Sequence, residues 1–426
     1  MLMSKMKATK FKSSELGPIP KDWDVKRLGE IFTFKNGYNA SANCYGSGMP
    51  VASVLDALST RPITRQSIAT KVNAQYKDQD SFSLKSGDLI FTRSSETLED
   101  VGRSNVYLDA DNAMFGGFVI RGRPSVVIDS LFVNYMLNTS SCRIRVMSHG
   151  AGAQHFNIGQ TGLEKVLIPL PPLAEQRRIA GALSDVDELI SALGKLIEKK
   201  RNIKTGAMQQ LLTGKTCLPG FKGKWVEKRL GECGFCFNGI TGKSGSDFGH
   251  GKSRYITFLN VLTNVIIDSS IFEPVDICSG ENQNEVRRGD IFFNTSSETP
   301  EEVGLCAVLE EDVKSVYLNS FCFGFRITDN DVSGRFLAYW FRASAGRALM
   351  TSLAQGSTRY NLSKDAFREA CVCIPPTLAE QKAIAAVLSD MDAEIAALES
   401  DRAKYECIKS GMMQELLTGK TRLKGE

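Results

Sequence analysis

Histidine is nearly missing from this chain. The three present (His149, His155, His250) are too scattered for a zinc set or a Ser-His-Asp triad. No apolar run approaches the ~20 residues that cross a bilayer. The basic stretch Met1–Lys12 lacks the apolar core of a secretory signal. The tetrapeptide Asn/Asp-Pro-Pro-Tyr/Phe that marks adenine-amine methyltransferases does not occur. Gly242-Lys243-Ser244-Gly245-Ser246 lacks the strict Gly-x-Ser-x-Gly spacing of a nucleophile elbow. Thr213-Gly214-Lys215-Thr216 and Thr418-Gly419-Lys420-Thr421 end like a P-loop. Their nearest upstream glycines, Gly206 and Gly411, are too distant for the phosphate-wrapping turn, and both segments close a helix instead of opening one. Thr241-Gly242-Lys243-Ser244 fails as well, because position 237 is phenylalanine. With no catalytic constellation, a binding protein is favoured. The net charge of +4 permits nucleic-acid binding without demanding it.

What the chain does contain is an internal duplication. Leu173–Thr216 recurs without insertion as Leu378–Thr421, an offset of 205 residues. Ala174-Glu175-Gln176 returns as Ala379-Glu380-Gln381, and Leu183-Ser184-Asp185 as Leu388-Ser389-Asp390. The opening anchors repeat at an offset of 202: Trp23 with Trp225, Asn36-Gly37 with Asn238-Gly239, and Ser86–Thr97 with Arg288–Thr299. Later anchors such as Gly152 with Gly356 and Asn157 with Asn361 lie at 204. Two copies of one unit of roughly 200 residues is a duplication; a solenoid needs more and shorter repeats.

Residues 1 to about 20 read as a basic, poorly ordered lead-in ending at Gly17-Pro18-Ile19-Pro20. Each unit then opens with a loop-rich mix of short β-type runs (Asp88–Thr92, Gly117–Arg121) and helix-type segments (Leu131–Met147). A long helix follows. Its apolar positions Ile179, Leu183, Val186, Ile190, Leu193 and Ile197 have a 3.5-residue period, as do Ile384, Leu388, Met391, Ile395 and Leu398 in the second copy. Pro171-Pro172 and Pro375-Pro376 suit helix starts, and Gly214 and Gly419 suit helix ends. A rod of about 60 Å with a narrow apolar seam needs a partner. Antiparallel pairing of the two copies supplies one, the alternative being that each helix docks on its own domain. The expected fold is therefore α+β. Two similar mixed α/β domains, 1–172 and 217–377, are joined by a long antiparallel two-helix coiled coil, 173–216 and 378–426, with pseudo-twofold symmetry.

Eleven cysteines include Cys233-Gly-Phe-Cys236, which has thiol-redox spacing. The repeat argues against that chemistry. Cys233 and Cys236 fall opposite Ile31 and Phe34, and at the offset of 205 Cys371 and Cys373 fall opposite Val166 and Ile168. Cysteine in such places is expected to be a small buried hydrophobe. An odd number of reduced thiols suits the cytoplasm.

Polar loops at matching places in the two units carry the candidate contacts to DNA. They are Lys35, Asn36 and Tyr38; Thr92, Arg93 and Ser94 against Asn294, Thr295 and Ser296; and Gln154, His155 and Asn157 against Arg359, Tyr360 and Asn361. Lys243 and Lys252 join the second unit's set. Such side chains read base edges or hold phosphates, although Asn and Gly at turns also serve the backbone alone. Side chains that differ at matching loops, as at Arg93, Gln154 and Arg359, are what reading two different sequences requires.

The repeated Pro-Pro/Leu-Ala-Glu-Gln start, Leu-Ser-Asp-x-Asp segment, Leu-Leu-Thr-Gly-Lys-Thr end and Arg-Leu-Gly-Glu opening resemble the specificity (S) subunit of type I restriction-modification systems, across the chain from Ile19 onward. The resemblance implies two target-recognition domains, each reading one part of a bipartite site in double-stranded DNA. It also implies a non-catalytic subunit that docks two methyltransferase (M) subunits for N6-adenine methylation and, with restriction (R) subunits, permits cleavage. S-adenosylmethionine would belong to M, ATP and magnesium to R, and no cofactor or metal to this chain. The alternatives are the specificity subunit of a related two-domain methylation and cleavage system, or a coiled-coil adaptor.

Overall fold

The computed structural model describes residues 10–152, 154–278 and 280–423. They form two compact units. The first runs to Gly194 and resumes at Ser400; the second spans Lys195–Glu399.

The first unit corrects the expectation of a disordered lead-in, of which residues 1–9 lie outside the described part. Phe11–Lys12 pairs antiparallel with Ile19–Pro20 across a turn at Gly17 (φ +86°), and Ile19 is buried. Next comes an antiparallel sheet of four strands, in the order Phe32–Asn36, Val119–Pro124, Leu89–Thr92, Ser104–Val106. The strand Leu89–Thr92 is buried along its whole length, so its alternating side chains serve two cores. Leu89 and Phe91 face a core shared with the helix Ser130–Leu137, while Ile90 faces a second core with Tyr107 and Phe115. A smaller sheet places Tyr45–Ala52 between Lys71–Val72 and, in parallel, Met114–Phe115.

The second unit repeats this plan. Its four strands run Gly234–Asn238, Cys322–Ile327, Ile291–Asn294, Cys306–Val308. Ile291 and Phe293 face one core and Phe292 the other. The repeated Gly-Asp step before the central strand has a structural cause. Asp88 and Asp290 are buried, and each binds one guanidinium through two hydrogen bonds, Arg123 and Arg326 respectively, at 2.7–2.9 Å.

The two long helices, Leu173–Leu211 and Leu378–Leu416, have 39 residues each. Both expected modes of burial occur together. In the first unit Ile179 and Leu183 share one core with the domain's Phe132 and with Leu416 and Leu417. In the second, Ile384 and Leu388 share a core with Phe336 and with Leu211 and Leu212. The start of one helix thus meets the end of the other, an antiparallel arrangement inside each unit. Ile197 and Ile395 are also buried, whereas Val186, Ile190, Leu193, Met391 and Leu398 are half-buried. Gly214 and Gly419 have φ of +69° and +68° beyond the helix ends, where a side chain would be strained.

The repeated motifs of these helices prove to be fasteners. Gln176 Oε1 accepts from Asp129 N (3.0 Å) and Gln381 Oε1 from Ser333 N (2.8 Å), tying each helix start to its domain. The second aspartate of Leu-Ser-Asp-x-Asp joins three elements. Asp187 accepts from Tyr135 Oη (2.7 Å) and pairs with Lys409 (2.6 Å) on the other long helix. Asp392 does the same with Tyr339 Oη (2.8 Å) and Lys204. Replacing Asp187 by Asn is expected to cost about 1–2 kcal/mol, read as a lower urea midpoint. No change would mean that the three-way contact is energetically idle.

One expectation about cysteine is overturned. Cys371 and Cys373 are exposed. The ladder pairs Cys371 with Arg229, as Leu167 pairs with Arg27, so the offset at this strand is 204. Thr377, inserted after Pro375-Pro376, raises it to 205 only at the helix. A one-residue slip exchanges the faces of a strand, and Val372 and Ile374 are the residues that point into the core. Cys142, Cys233, Cys306 and Cys322 are buried, Cys236 is half-buried, and all eleven thiols are free. Among the described residues no helix is long and apolar enough to cross a membrane.

Candidate nucleic-acid interface

In each unit four segments distant in sequence lie side by side, joined by backbone hydrogen bonds. In the first unit Tyr38 N donates to Phe115 O (2.9 Å) and Gly37 N to Val119 O (3.1 Å), which seats the Asn36 loop against the turn 115–119. Across that turn Arg93 N donates to Phe118 O (2.9 Å), and beyond it Ile158 N donates to Arg93 O (3.0 Å). In the second unit Ile240 N donates to Leu318 O (2.8 Å), Thr295 N to Phe321 O (3.0 Å) and Leu362 N to Thr295 O (2.9 Å). Short ladders lock the last step, Ser94 with Asn157 and Ser296 with Asn361. All three pairs of matching loops singled out from sequence therefore come together on one rim per unit, through pairings that a repeat alignment alone does not reveal.

The Asn-Gly step at its start is set by backbone approach. A Cβ on Gly37 would lie 1.8 Å from Gly116 O, and one on Gly239 would lie 2.0 Å from Asn319 O. Only glycine permits that contact. Asn36 itself is exposed.

The candidate side chains divide by environment. Thr92 and Asn294 are fully buried. Thr92 Oγ1 donates to Asp100 O, and Asn294 Nδ2 donates to Glu302 O (3.0 Å), so both brace the loop from beneath. Lys35 donates to Ser81 O and Oγ (2.7 Å each) over the ring of Phe82, and burial, then Arg121 and Arg123, push its pKa down. Tyr38 packs its ring 5.3 Å from Phe82. Lys243 is bound to Glu281 at 2.5 Å, a hydrogen bond that raises the lysine pKa and brings the carboxyl down to about 2. Gln154, His155 and Asn157 in the first unit are exposed, as are Lys252, Arg359 and Asn361 in the second; Arg93, Ser94, Thr295, Ser296 and Tyr360 are half-exposed. Ser94 Oγ donates to Asn157 Oδ1 (2.5 Å) and Asn157 Nδ2 to His155 O (3.2 Å), which stiffens the tip of the loop.

The sequence reading missed two groups. Arg254, also exposed, lies two residues after Lys252 on the strand Phe248–Ile256. Phe118 and Phe321, in the turn that links the segments, stand out at 71% and 63% exposure. Their signal was the offset of 203 between two turns with no residue identity except the phenylalanine.

Two units of one fold, each with a stiff polar rim whose exposed side chains differ between copies, define a binding protein with two related reading heads. The sequence model of the type I restriction modification DNA specificity domain matches residues 20–202 and again 223–405, and the chain belongs to that family. It is 26% identical over its whole length to the putative type I restriction enzyme MjaX specificity subunit of Methanocaldococcus jannaschii, covering 99% of that protein. It is 22% identical to the EcoKI specificity subunit of Escherichia coli over 70% of this chain and 66% of that one. The crystal structure of a type I restriction-modification S subunit from M. genitalium has the same fold, with a TM-score of 0.58 at 15% identity, covering 96% of this chain and 99% of that one.

Proposed function

We propose that each unit reads one part of a bipartite site in double-stranded DNA, and that the chain lends this specificity to methyltransferase and restriction subunits that carry the chemistry. The observation that carries the reading is the repeated rim with changed side chains. His155 is matched by Arg359 and Arg93 by Thr295, on one backbone framework. Arginine and histidine donate to guanine edges and phosphates, whereas threonine suits a methyl or a single acceptor. The reading set is thus Asn36, Arg93, Ser94, Gln154, His155 and Asn157 in one unit. In the other it is Lys252, Thr295, Ser296, Arg359, Tyr360 and Asn361. Thr92, Asn294, Lys35, Tyr38 and Lys243 hold the loops.

The antiparallel helices act as spacer, suited to half-sites about one DNA turn, roughly 34–36 Å, apart. Together with neighbouring surfaces they dock two methyltransferase subunits, which bind S-adenosylmethionine; ATP and magnesium serve the restriction subunits. The complex works in the cytoplasm. Lys200 and Arg201 pair with Glu394 and Glu399 at 2.5 Å each on the other helix. Such surface pairs contribute about 0–1 kcal/mol each, so reversing these charges tests helix pairing before it tests docking.

Methylated adenines sequenced from cells that express this chain with its methyltransferase partner should show a split N6-methyladenine motif. Arg359→Ala should relax one half of it, costing about 1–3 kcal/mol of discrimination there and leaving the other half intact. Equal relaxation of both halves, or no motif at all, would defeat the proposal.

A further inference from the structure

Each rim exposes a phenylalanine among polar neighbours, at the same structural position in both units. Phe118 and Phe321 occupy the third place of the turns 116–119 and 319–322, which lead into the strands Val119–Pro124 and Cys322–Ile327. Their exposure, 71% and 63%, follows from how the turns are held. Buried Asn319 accepts from Phe321 N (2.9 Å) through Oδ1 and donates to Ile256 O (3.1 Å) through Nδ2, fixing the turn with the ring outward. In the first unit Val119 N closes the turn on Gly116 O at 3.2 Å. A single exposed apolar residue is ordinary. Two at matching places, each bonded through its carbonyl to the reading loop, are a built feature.

In the second unit the ring borders a cavity of about 510 Å³, within the ~300–1,000 Å³ range of ligand pockets. Phe248, Tyr255, Phe258 and Leu259 form its apolar walls. Polar tips around it are spent on one another: Tyr255 Oη donates to Glu273 (2.8 Å), and Lys243 is held by Glu281. Phe248, Phe258 and Phe321 leave aromatic surface open there, which suits an apolar face of the ligand. Phe321 and the neighbouring Leu259, 65% exposed, are the exposed members of this apolar lining on a basic, amide-rich rim, too small a patch to seat a folded protein. It is the right size for one nucleobase beside phosphates that the neighbouring cations hold.

We infer that Phe118 and Phe321 are specificity residues that each meet the apolar part of one base in their half-site, either a thymine methyl or an aromatic ring face. The inference rests on the DNA-reading proposal and adds an apolar contact to its polar ones. Removing such a contact weakens specific binding without removing a charge, so the salt dependence, which counts phosphate contacts, stays the same.

The test uses the full chain in complex with its methyltransferase partner and duplexes carrying the motif methylated by the wild-type complex. Phe321→Ala should bind the full-motif duplex at least tenfold more weakly, with an unchanged salt slope and unchanged affinity for random duplex. Phe321→Leu should recover part of the loss. The penalty should vanish on a duplex already scrambled in that half-site, and Phe118→Ala should behave likewise at the other half. Uracil in place of thymine that reproduces the loss in wild type, but adds nothing in the alanine variant, assigns the methyl; undiminished binding to uracil duplex assigns the ring face. Three results overturn the inference: alanine variants with wild-type affinity, equal losses on motif and random duplex, or variants that no longer assemble with the methyltransferase. Wild-type complex that prefers no duplex would overturn the DNA-reading proposal itself, whereas wild-type preference that both alanine variants keep overturns this inference alone.

Discussion

Glu175→Gln and Glu380→Gln, the same substitution at matching positions of the repeat, are expected to move stability in opposite directions. Both glutamates are buried in the first turn of a long helix. Glu175 accepts from Trp23 Nε1 (3.1 Å) and receives two hydrogen bonds from Arg422 (2.6 Å each), whose guanidinium also binds Asp22 (2.8 Å) and lies over the Trp23 ring. The hydrogen bond to Glu175 holds the arginine pKa above its ordinary value. The second unit has Cys217 at the repeat position of Arg422 and Lys224 at that of Asp22. There Glu380 Oε1 and Trp225 Nε1 have no partner among the described residues, and burial pushes the Glu380 carboxyl pKa up.

Removing one member of a buried ion pair strands the other, at a cost of about 3–5 kcal/mol. Gln keeps the shape and the bond from Trp23, so Glu175→Gln should lie near the lower end. Glu380→Gln instead removes a charge that burial disfavours and should gain about 1 kcal/mol near pH 7. The sign follows from linkage. A carboxyl whose folded pKa is raised contributes its stability below its unfolded pKa, about 4.3, and loses it as pH rises through the folded value. The gain from Glu380→Gln should therefore shrink as pH falls toward 4. Calorimetric melting of both variants between pH 4 and 8 reads this; a loss of stability in Glu380→Gln at pH 7 would contradict it.

Asp290→Ala should be among the costliest single changes outside the apolar cores. The carboxylate is 1% exposed and accepts two hydrogen bonds from Arg326, and its Oδ2 also caps Arg287 N (2.8 Å). The aspartate's hydrogen bond raises the Arg326 pKa. Alanine leaves a half-buried guanidinium with only the carbonyl of Glu285 (2.9 Å) as acceptor among the described residues, and a turn without its cap, an expected loss of about 3–5 kcal/mol. Arg326 lies on the strand that begins just after Phe321, so one reading head should also lose its order. Urea unfolding measures the stability, and the methylation motif measures the reading: the half assigned to the second unit should degrade while the other persists. Asp88→Ala should give the mirror result through Arg123. A variant with a wild-type urea midpoint would refute the stranded-charge argument.

Much of this was legible because it is local. The long helices have the ends that Pro171, Pro375, Gly214 and Gly419 imply, since capping and left-handed backbone are decided within a few residues. The seam positions Leu183 and Leu388 could be read from spacing, since helical period depends on sequence order alone. Other features were hidden for a physical reason. Thr92 and Asn294 look like ready contacts in a polar loop, yet both are buried, because which face of a strand end meets the core depends on a partner strand. Cys371 and Cys373 changed faces through a one-residue difference between strand and helix.

The amino-acid sequence by itself determined the duplication, the two helices with their ends and seam, and the loops that differ between copies; all of these follow from local spacing and from the chain's similarity to itself. Tertiary structure decided which loop residues face outward, that Phe118 and Phe321 stand beside them, and that Glu175 is paired while Glu380 Oε1 has no partner among the described residues. Those outcomes rest on burial and on contacts between segments up to 400 residues apart, such as Arg422 with Glu175 and Asp22. No local pattern of residues encodes the dielectric, or the partner, that a side chain meets once the chain has closed on itself.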